Sequence, residues 1–333
     1  MPSAEYSPAH SIWENRAQVE KDLPRLTALW NAVGYLNDLT PAQWVQWYST
    51  ALAFQPDLII ELGRNQGNST CLFTQAANTL QHGKLVSLCL TDYWQQSVAQ
   101  RVSQVVPSSW FDRLDPRVAD IIRTTPSDLV GDAKRILVIW DAHGFRVAEW
   151  VLGALAPHLE GRQSLILMHD IADTRYSDWD GSYNGQRLWQ GRHTNEGAHA
   201  RRLAIGNAVS PVEQMLSAID FTTRNKISFQ SADHSYATEL TESQVSELSK
   251  QLDGAFDIQA GWHYFSLQDA KRHPLTFPGF SVEERDLSYD YLYERVHDLQ
   301  HQVDAMLSSS TWRYGSKAAK LLHKLLGKRP ASS

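Results

Sequence analysis

The residues Leu58-Ile59-Ile60-Glu61-Leu62-Gly63-Arg64-Asn65-Gln66-Gly67-Asn68-Ser69-Thr70 constrain the fold more than any other stretch of this chain. Their short aliphatic run suits a strand buried on both faces of a parallel sheet. Gly63 and Gly67 let the backbone turn sharply and approach a ligand with no Cβ in the way. Asn68, Ser69 or Thr70 can cap the helix that follows. Glu61, at the carboxyl end of the strand, is placed to accept hydrogen bonds from a ligand's hydroxyls or amine. Together these residues predict a cofactor crevice in an open α/β sheet. A tight strand-to-helix turn without a ligand is the alternative.

The glycine spacing narrows the cofactor. A nicotinamide fingerprint needs G-x-G-x-x-G, but Asn65 stands where the middle glycine would be and no third glycine follows in place. From position 58 onward, apolar strand-like runs alternate with helical patterns, as in a doubly wound, Rossmann-like, mostly parallel sheet. Strands are expected near 58–62, 84–90, 118–123, 135–140 and 164–169, with helices near 68–81, 94–105, 127–133 and 145–158. A last β part is expected at 219–234 and 262–267, with a helix across 241–253.

The parts around this domain (55–278) differ in character. Residues 1–54 form a helical N-terminal segment, in which Thr40-Pro41-Ala42-Gln43 is a capping box with proline at the first helical position. Trp44, Trp47, Tyr48 and Ala51 then share one face, expected to pack on the sheet. Residues 171–211 are polar and glycine-dotted, too long for a plain connection, and read as an insertion or lid. In 279–309, the apolar spacing of Tyr289, Leu292, Val296, Leu299, Val303 and Met306 predicts either a short coiled coil, giving a homodimer through 289–306, or a helix packed on its own domain. The tail 310–333 is basic and amphipathic, and its stretch 312–329 suits either peripheral contact with an anionic membrane or a docked terminus.

Composition excludes a few classes. A formal charge of -6 gives no reason to expect a nucleic-acid partner. The two cysteines, Cys71 and Cys89, read as small buried hydrophobes in a reducing compartment. No signal-peptide pattern opens the chain, and no apolar run reaches the ~18 residues of a membrane span. The expected location is therefore cytoplasmic, with the inner face of the membrane as the surface the tail would meet.

Two further strand ends carry chemistry. The fourth expected strand ends Ile139-Trp140-Asp141-Ala142-His143-Gly144, and the fifth ends Leu167-Met168-His169-Asp170. In a parallel sheet both open onto the crevice of Glu61. Asp141, His169 and Asp170 form a candidate divalent-metal site. Oxygen-rich ligation favours magnesium or manganese, while histidines also admit zinc or iron.

The pattern E-L-G-x-x-x-G-x-S, then D-A-H, then M-H-D resembles class I S-adenosylmethionine-dependent methyltransferases, of the group that includes cephalosporin-hydroxylase-like proteins, over roughly 55–175. The resemblance implies that Glu61 and Gly63 line the S-adenosylmethionine pocket, and that Asp141 and Asp170, with His169, match metal-binding positions. The insertion and C-terminal extension depart from the general pattern, so no substrate is carried over.

Gly67, Asn68 and Ser69 complete the first-strand contacts. Asp92 is a candidate for the ribose hydroxyls or a helix cap, and Asp128 approaches the adenine or starts a helix. The expected reaction is O-methylation of a small-molecule or saccharide hydroxyl, with a bound cation lowering the hydroxyl pKa. His143 and His169 are the candidate catalytic bases, interchangeable at this level. Tyr176, Trp179, Tyr183 and Trp189 in the insertion suit stacking on a sugar ring. Together with the Ser309–Arg313 phrase, which resembles the tails of surface-glycan biosynthesis proteins, they suggest a place in polysaccharide biosynthesis. Two competing readings are an iron(II) oxygenase built on His143, His169 and an aspartate, and a non-catalytic membrane-associated scaffold.

Overall fold

The computed structural model describes residues 6–35, 38–142, 145–169, 215, 217–271 and 273–276, all within the unit Met1–Pro278. His143, Asp170, the 171–211 insertion with its aromatic residues, the 289–306 repeat and the 312–329 tail lie outside the described residues.

Among the described residues, seven strands form one sheet in the order β3-β2-β1-β4-β5-β7-β6. In chain order they are β1 (Leu58–Leu62), β2 (Lys84–Cys89), β3 (Leu114–Val118), β4 (Arg135–Trp140), β5 (Gln163–His169), β6 (Gln230–Ser231) and β7 (Trp262–Ser266). The first five run parallel, whereas β7 pairs antiparallel with both β5 and β6. The order reverses between β1 and β4, and this switch point opens a crevice at the strands' carboxyl ends.

Side chains alternate across the sheet into two apolar layers. Ile59, Leu137, Ile139, Leu165 and Leu167 face one layer, and Leu58, Ile60, Leu62, Val138 and Met168 face the other. The first layer is covered by α1 (Pro8–Val33), α2 (Pro41–Phe54), α3 (Asn68–Leu80) and the helical run Trp94–Val98 and Ala99–Val102. The helical run Phe145–Glu149, Trp150–Leu155 and Ala156–Leu159 helps cover the second.

Helix α1 begins at Ser7, whose side chain accepts the His10 N–H, and stops at Gly34 in the left-handed region (φ 67°). Helix α2 carries the full capping box: Thr40 Oγ1 accepts the Gln43 N–H, and Gln43 Oε1 accepts the Thr40 N–H. Trp44, Trp47, Tyr48 and Ala51 are all buried in the first layer. The N-terminal helices are thus part of the domain's own core.

Two expectations are corrected. The third strand is Leu114–Val118, and Ile121–Arg123 is a 3₁₀ turn where the strand was placed at 118–123. Asp115, Pro116 and Arg117 read as a turn, but β3 is an edge strand, where proline is tolerated and charged side chains reach water. The final β part does not begin at 219. Residues 217–225 are helical, with Ala218, Phe221, Thr222 and Asn225 buried at helical spacing, and strand pairing is confined to Gln230–Ser231.

Candidate active site

The turn after β1 is built by two glycines. Gly63 has φ 96°, and a Cβ on it would lie 2.4 Å from the Asp141 carbonyl oxygen, so the β1 and β4 ends touch through backbone. Gly67 has φ 89°, and its Cβ would lie 2.5 Å from the Trp94 ring. Side chains there would be strained by conformation as well as by space.

Glu61 does not face the crevice. It shares strand parity with Ile59 and points into the layer under α3, with no exposed surface. One carboxylate oxygen accepts from Ser69 Oγ at 2.5 Å, and the other accepts from Thr70 Oγ1 at 2.6 Å and from Ser87 Oγ. Burial pushes the Glu61 carboxyl up from its ordinary value, opposed by the Ser69, Ser87 and Thr70 hydrogen bonds and by the Arg64 charge. Arg64, also buried, donates to the Ser87 carbonyl at 2.8 Å and the Arg117 carbonyl at 3.1 Å. Glu61 and Ser69 therefore organise the turn from within. That is where the structure places the acid expected to line the cofactor pocket.

Asn68, the first residue of α3, is buried as well but faces Tyr35 and Asp38. Its Nδ2 donates to the Tyr35 carbonyl at 3.1 Å and to Asp38 Oδ2 at 3.0 Å, while the buried Oδ1 has no hydrogen-bond partner. No side chain caps the amides of α3's first turn. An orphan acceptor beside uncapped helix amides fits the ammonium and carboxylate of an amino-acid group.

At the ends of β4 and β5, His169 Nδ1 lies 3.2 Å from Asp141 Oδ1. Both side chains are nearly buried, at 4% and 11% exposure. Trp47 sets the edge-on wall of the imidazole at 5.4 Å between ring centroids. Gln43 Nε2 stands 3.2 Å from His169 Nε2 and donates to the Ala260 carbonyl at 2.8 Å. Asp38, Asp141 and His169 each present a ligand atom within 4.8 Å of one another. Sequence reasoning missed Asp38 and Gln43 as site residues. Gln43 was visible only as a capping residue, and nothing in the spacing marks Asp38.

Asp92 and Asp128 are not brought into this cluster. Asp92 is exposed and starts a helix, its carbonyl accepting from the Gln96 N–H at 3.0 Å and its carboxylate from Gln96 Nε2 at 2.7 Å. Asp128 is exposed in the short helix Pro126–Val130, with the neighbouring Ser127 Oγ 3.4 Å away. At and just past the ends of β2 and β3, Leu90, Tyr93 and Val118 are exposed at 72%, 40% and 52%. They supply an apolar surface at the same edge.

Comparison with known proteins gives a family signal. Residues 60–171 match a family model described as a methyltransferase domain. No curated protein sequence matches the chain. Among solved structures, the SAH-bound methyltransferase PaMTH1 of Podospora anserina is similar at 13% identity, covering 80% of this chain and 98% of that one, with a TM-score of 0.47. The SAM-bound O-methyltransferase TomG of Streptomyces achromogenes is similar at 17% identity, covering 63% and 81%, with a TM-score of 0.40. An SAH-bound O-methyltransferase of Bacillus cereus shares 11% identity over 64% and 82%, with a TM-score of 0.40.

Proposed function

We propose that this chain, whose residues 60–171 match a methyltransferase-domain model, is a class I S-adenosylmethionine-dependent methyltransferase, and a cation-assisted O-methyltransferase acting on a small polar or saccharide hydroxyl. The observation that carries this reading is the pair of carboxylates Asp38 and Asp141, gathered beside His169 against the Gly63 turn at the sheet's switch point. A hard divalent cation, magnesium or manganese, suits its carboxylates.

S-adenosylmethionine supplies an electrophilic methyl on a sulfonium, and a divalent cation lowers the pKa of a hydroxyl bound to it. The protein's residues do the rest. Asn68 Oδ1 and the first amides of α3 hold the amino-acid end of the cofactor. Leu90, Tyr93 and Val118 offer an apolar seat for its adenine. Asp141 and Asp38 hold the cation, with Asp170 added from the sequence pattern, and His143 is the base that takes the hydroxyl proton. Support for a sugar acceptor is compositional, from Tyr176, Trp179, Tyr183 and Trp189. An iron oxygenase would have no use for the paired Gly63 and Gly67 turn, which favours the methyltransferase chemistry.

Calorimetric titration tests the reading. Wild-type protein should bind S-adenosylmethionine and, separately, magnesium. Asp141→Asn should keep the first and lose the second. Absence of S-adenosylmethionine binding would overturn the cofactor assignment, and unchanged magnesium binding in the variant would overturn the cation site.

A further inference from the structure

We infer that Gln43 locks His169 in the tautomer protonated on Nδ1, which makes His169 a positioning residue that orients Asp141, not a metal ligand and not a base. The inference begins with the capping box. Gln43 Oε1 accepts the Thr40 N–H at 2.8 Å, so the amide oxygen must face the start of α2. Its nitrogen then faces the Ala260 carbonyl at 2.8 Å and His169 Nε2 at 3.2 Å. Reversing the amide would set its oxygen against the Ala260 oxygen and its NH₂ against the Thr40 N–H, losing two hydrogen bonds, one of them to the buried Ala260.

An amide nitrogen is a donor only, so His169 Nε2 must accept. A neutral imidazole that accepts at Nε2 carries its proton on Nδ1. That nitrogen lies 3.2 Å from Asp141 Oδ1 and donates to it. A cation bound at Nδ1 would need the lone pair that the proton occupies, and would force a proton onto Nε2 against the Gln43 amide. The remaining lone pair, on Nε2, points at Gln43 within a residue that is 3% exposed, out of reach of a substrate proton. The ring is further held edge-on by Trp47. What His169 can do is fix which way the Asp141 carboxylate points, as outer-shell partners of metal ligands do.

The tautomer itself follows from hydrogen bonding alone; its consequence for cation binding rests on the reading of Asp141 given above. Nitrogen-15 NMR of the full chain, labelled at the histidine ring nitrogens and assigned through His169→Ala, reads the tautomer without cofactor or metal. The expected spectrum has Nδ1 protonated and Nε2 unprotonated, unchanged by saturating magnesium. Gln43→Glu keeps a capping-box residue at its place but sets an acceptor against the ring, and should move a proton onto Nε2. A wild-type ring protonated on Nε2, or a magnesium-induced shift at Nδ1, would overturn the inference.

A second arm measures magnesium affinity. His169→Asn puts an amide N–H where Nδ1 stands and should stay within about threefold of wild type, against a loss of about 10–100-fold in His169→Ala. Equal losses in both variants would refute the positioning role. A wild-type chain that binds no magnesium would sink the cation reading, and the tautomer would still be decided by the spectrum.

Discussion

Glu61 in β1 and Asp141 just past β4 are acids at the carboxyl ends of neighbouring strands, linked by the backbone contact at Gly63. Glu61 is fully enclosed, its two oxygens taken by the hydroxyls of Ser69, Thr70 and Ser87. Asp141 keeps some exposure and shares one oxygen with the His169 imidazole. The difference separates two uses of a carboxylate on neighbouring strands. A closed cluster holds the shape of the turn and costs stability when broken. An open one is placed to meet a ligand and, on the reading proposed above, should cost binding when broken.

The largest expected effect falls on the closed side. Glu61→Ala leaves Arg64 without its compensating charge and orphans buried hydroxyls, and should lower unfolding free energy by about 3–5 kcal/mol in a denaturant titration. Next come the glycines. Gly63→Ala drives a Cβ into backbone and should cost about 1–3 kcal/mol, with Gly67→Ala toward the lower end because it meets a side chain and not backbone. A Gly67 variant worse than the Gly63 one would mean that Trp94 is held more rigidly than the strand ends.

On the open side, Asp141→Asn should change stability by no more than about 1 kcal/mol, since an amide oxygen can still accept from His169. Its magnesium affinity should drop by at least about 10–100-fold, the loss usual for outer-shell partners alone. A large stability loss in this variant would erase the distinction between the two clusters.

The smallest effect is a pH dependence. Because burial raises the folded-state pKa of Glu61, the native state holds a proton more tightly than the unfolded chain does. That contribution to stability is fully present below the unfolded value of 4.5 and is lost as pH rises through the folded pKa. Relative to Glu61→Gln, which cannot titrate, wild type should therefore gain stability as pH falls toward 4.5. Parallel stability curves for the two proteins would contradict the buried-acid account.

Much of the sheet was legible because β1, β4 and β5 are buried on both faces and so read as unbroken aliphatic runs. Strand β3 was not, because an edge strand can carry Asp115-Pro116-Arg117 without exposing an unpaired core. The helix over 217–225 was hidden by Phe221, Ile227 and Phe229, whose aromatic and branched side chains suit strands as well. Asp141 and His169 were legible as candidates, since topology alone puts their strand ends together. The direction of Glu61 was readable in principle from its parity with Ile59, but an acid beside two glycines suggested a ligand first. Asp38 had no local signal, because it reaches the site only when the α1–α2 connection folds back onto the start of α3.

The most direct test of the open cluster is a crystal of the full chain grown with S-adenosylhomocysteine and manganese, measured at the manganese absorption edge. An anomalous peak bound to the Asp141 carboxylate, with the amino-acid end of the cofactor product at Asn68 and the α3 amides, is the predicted result. A cofactor product seated there with no manganese at Asp141, or manganese bound through His169 Nδ1, would contradict the account.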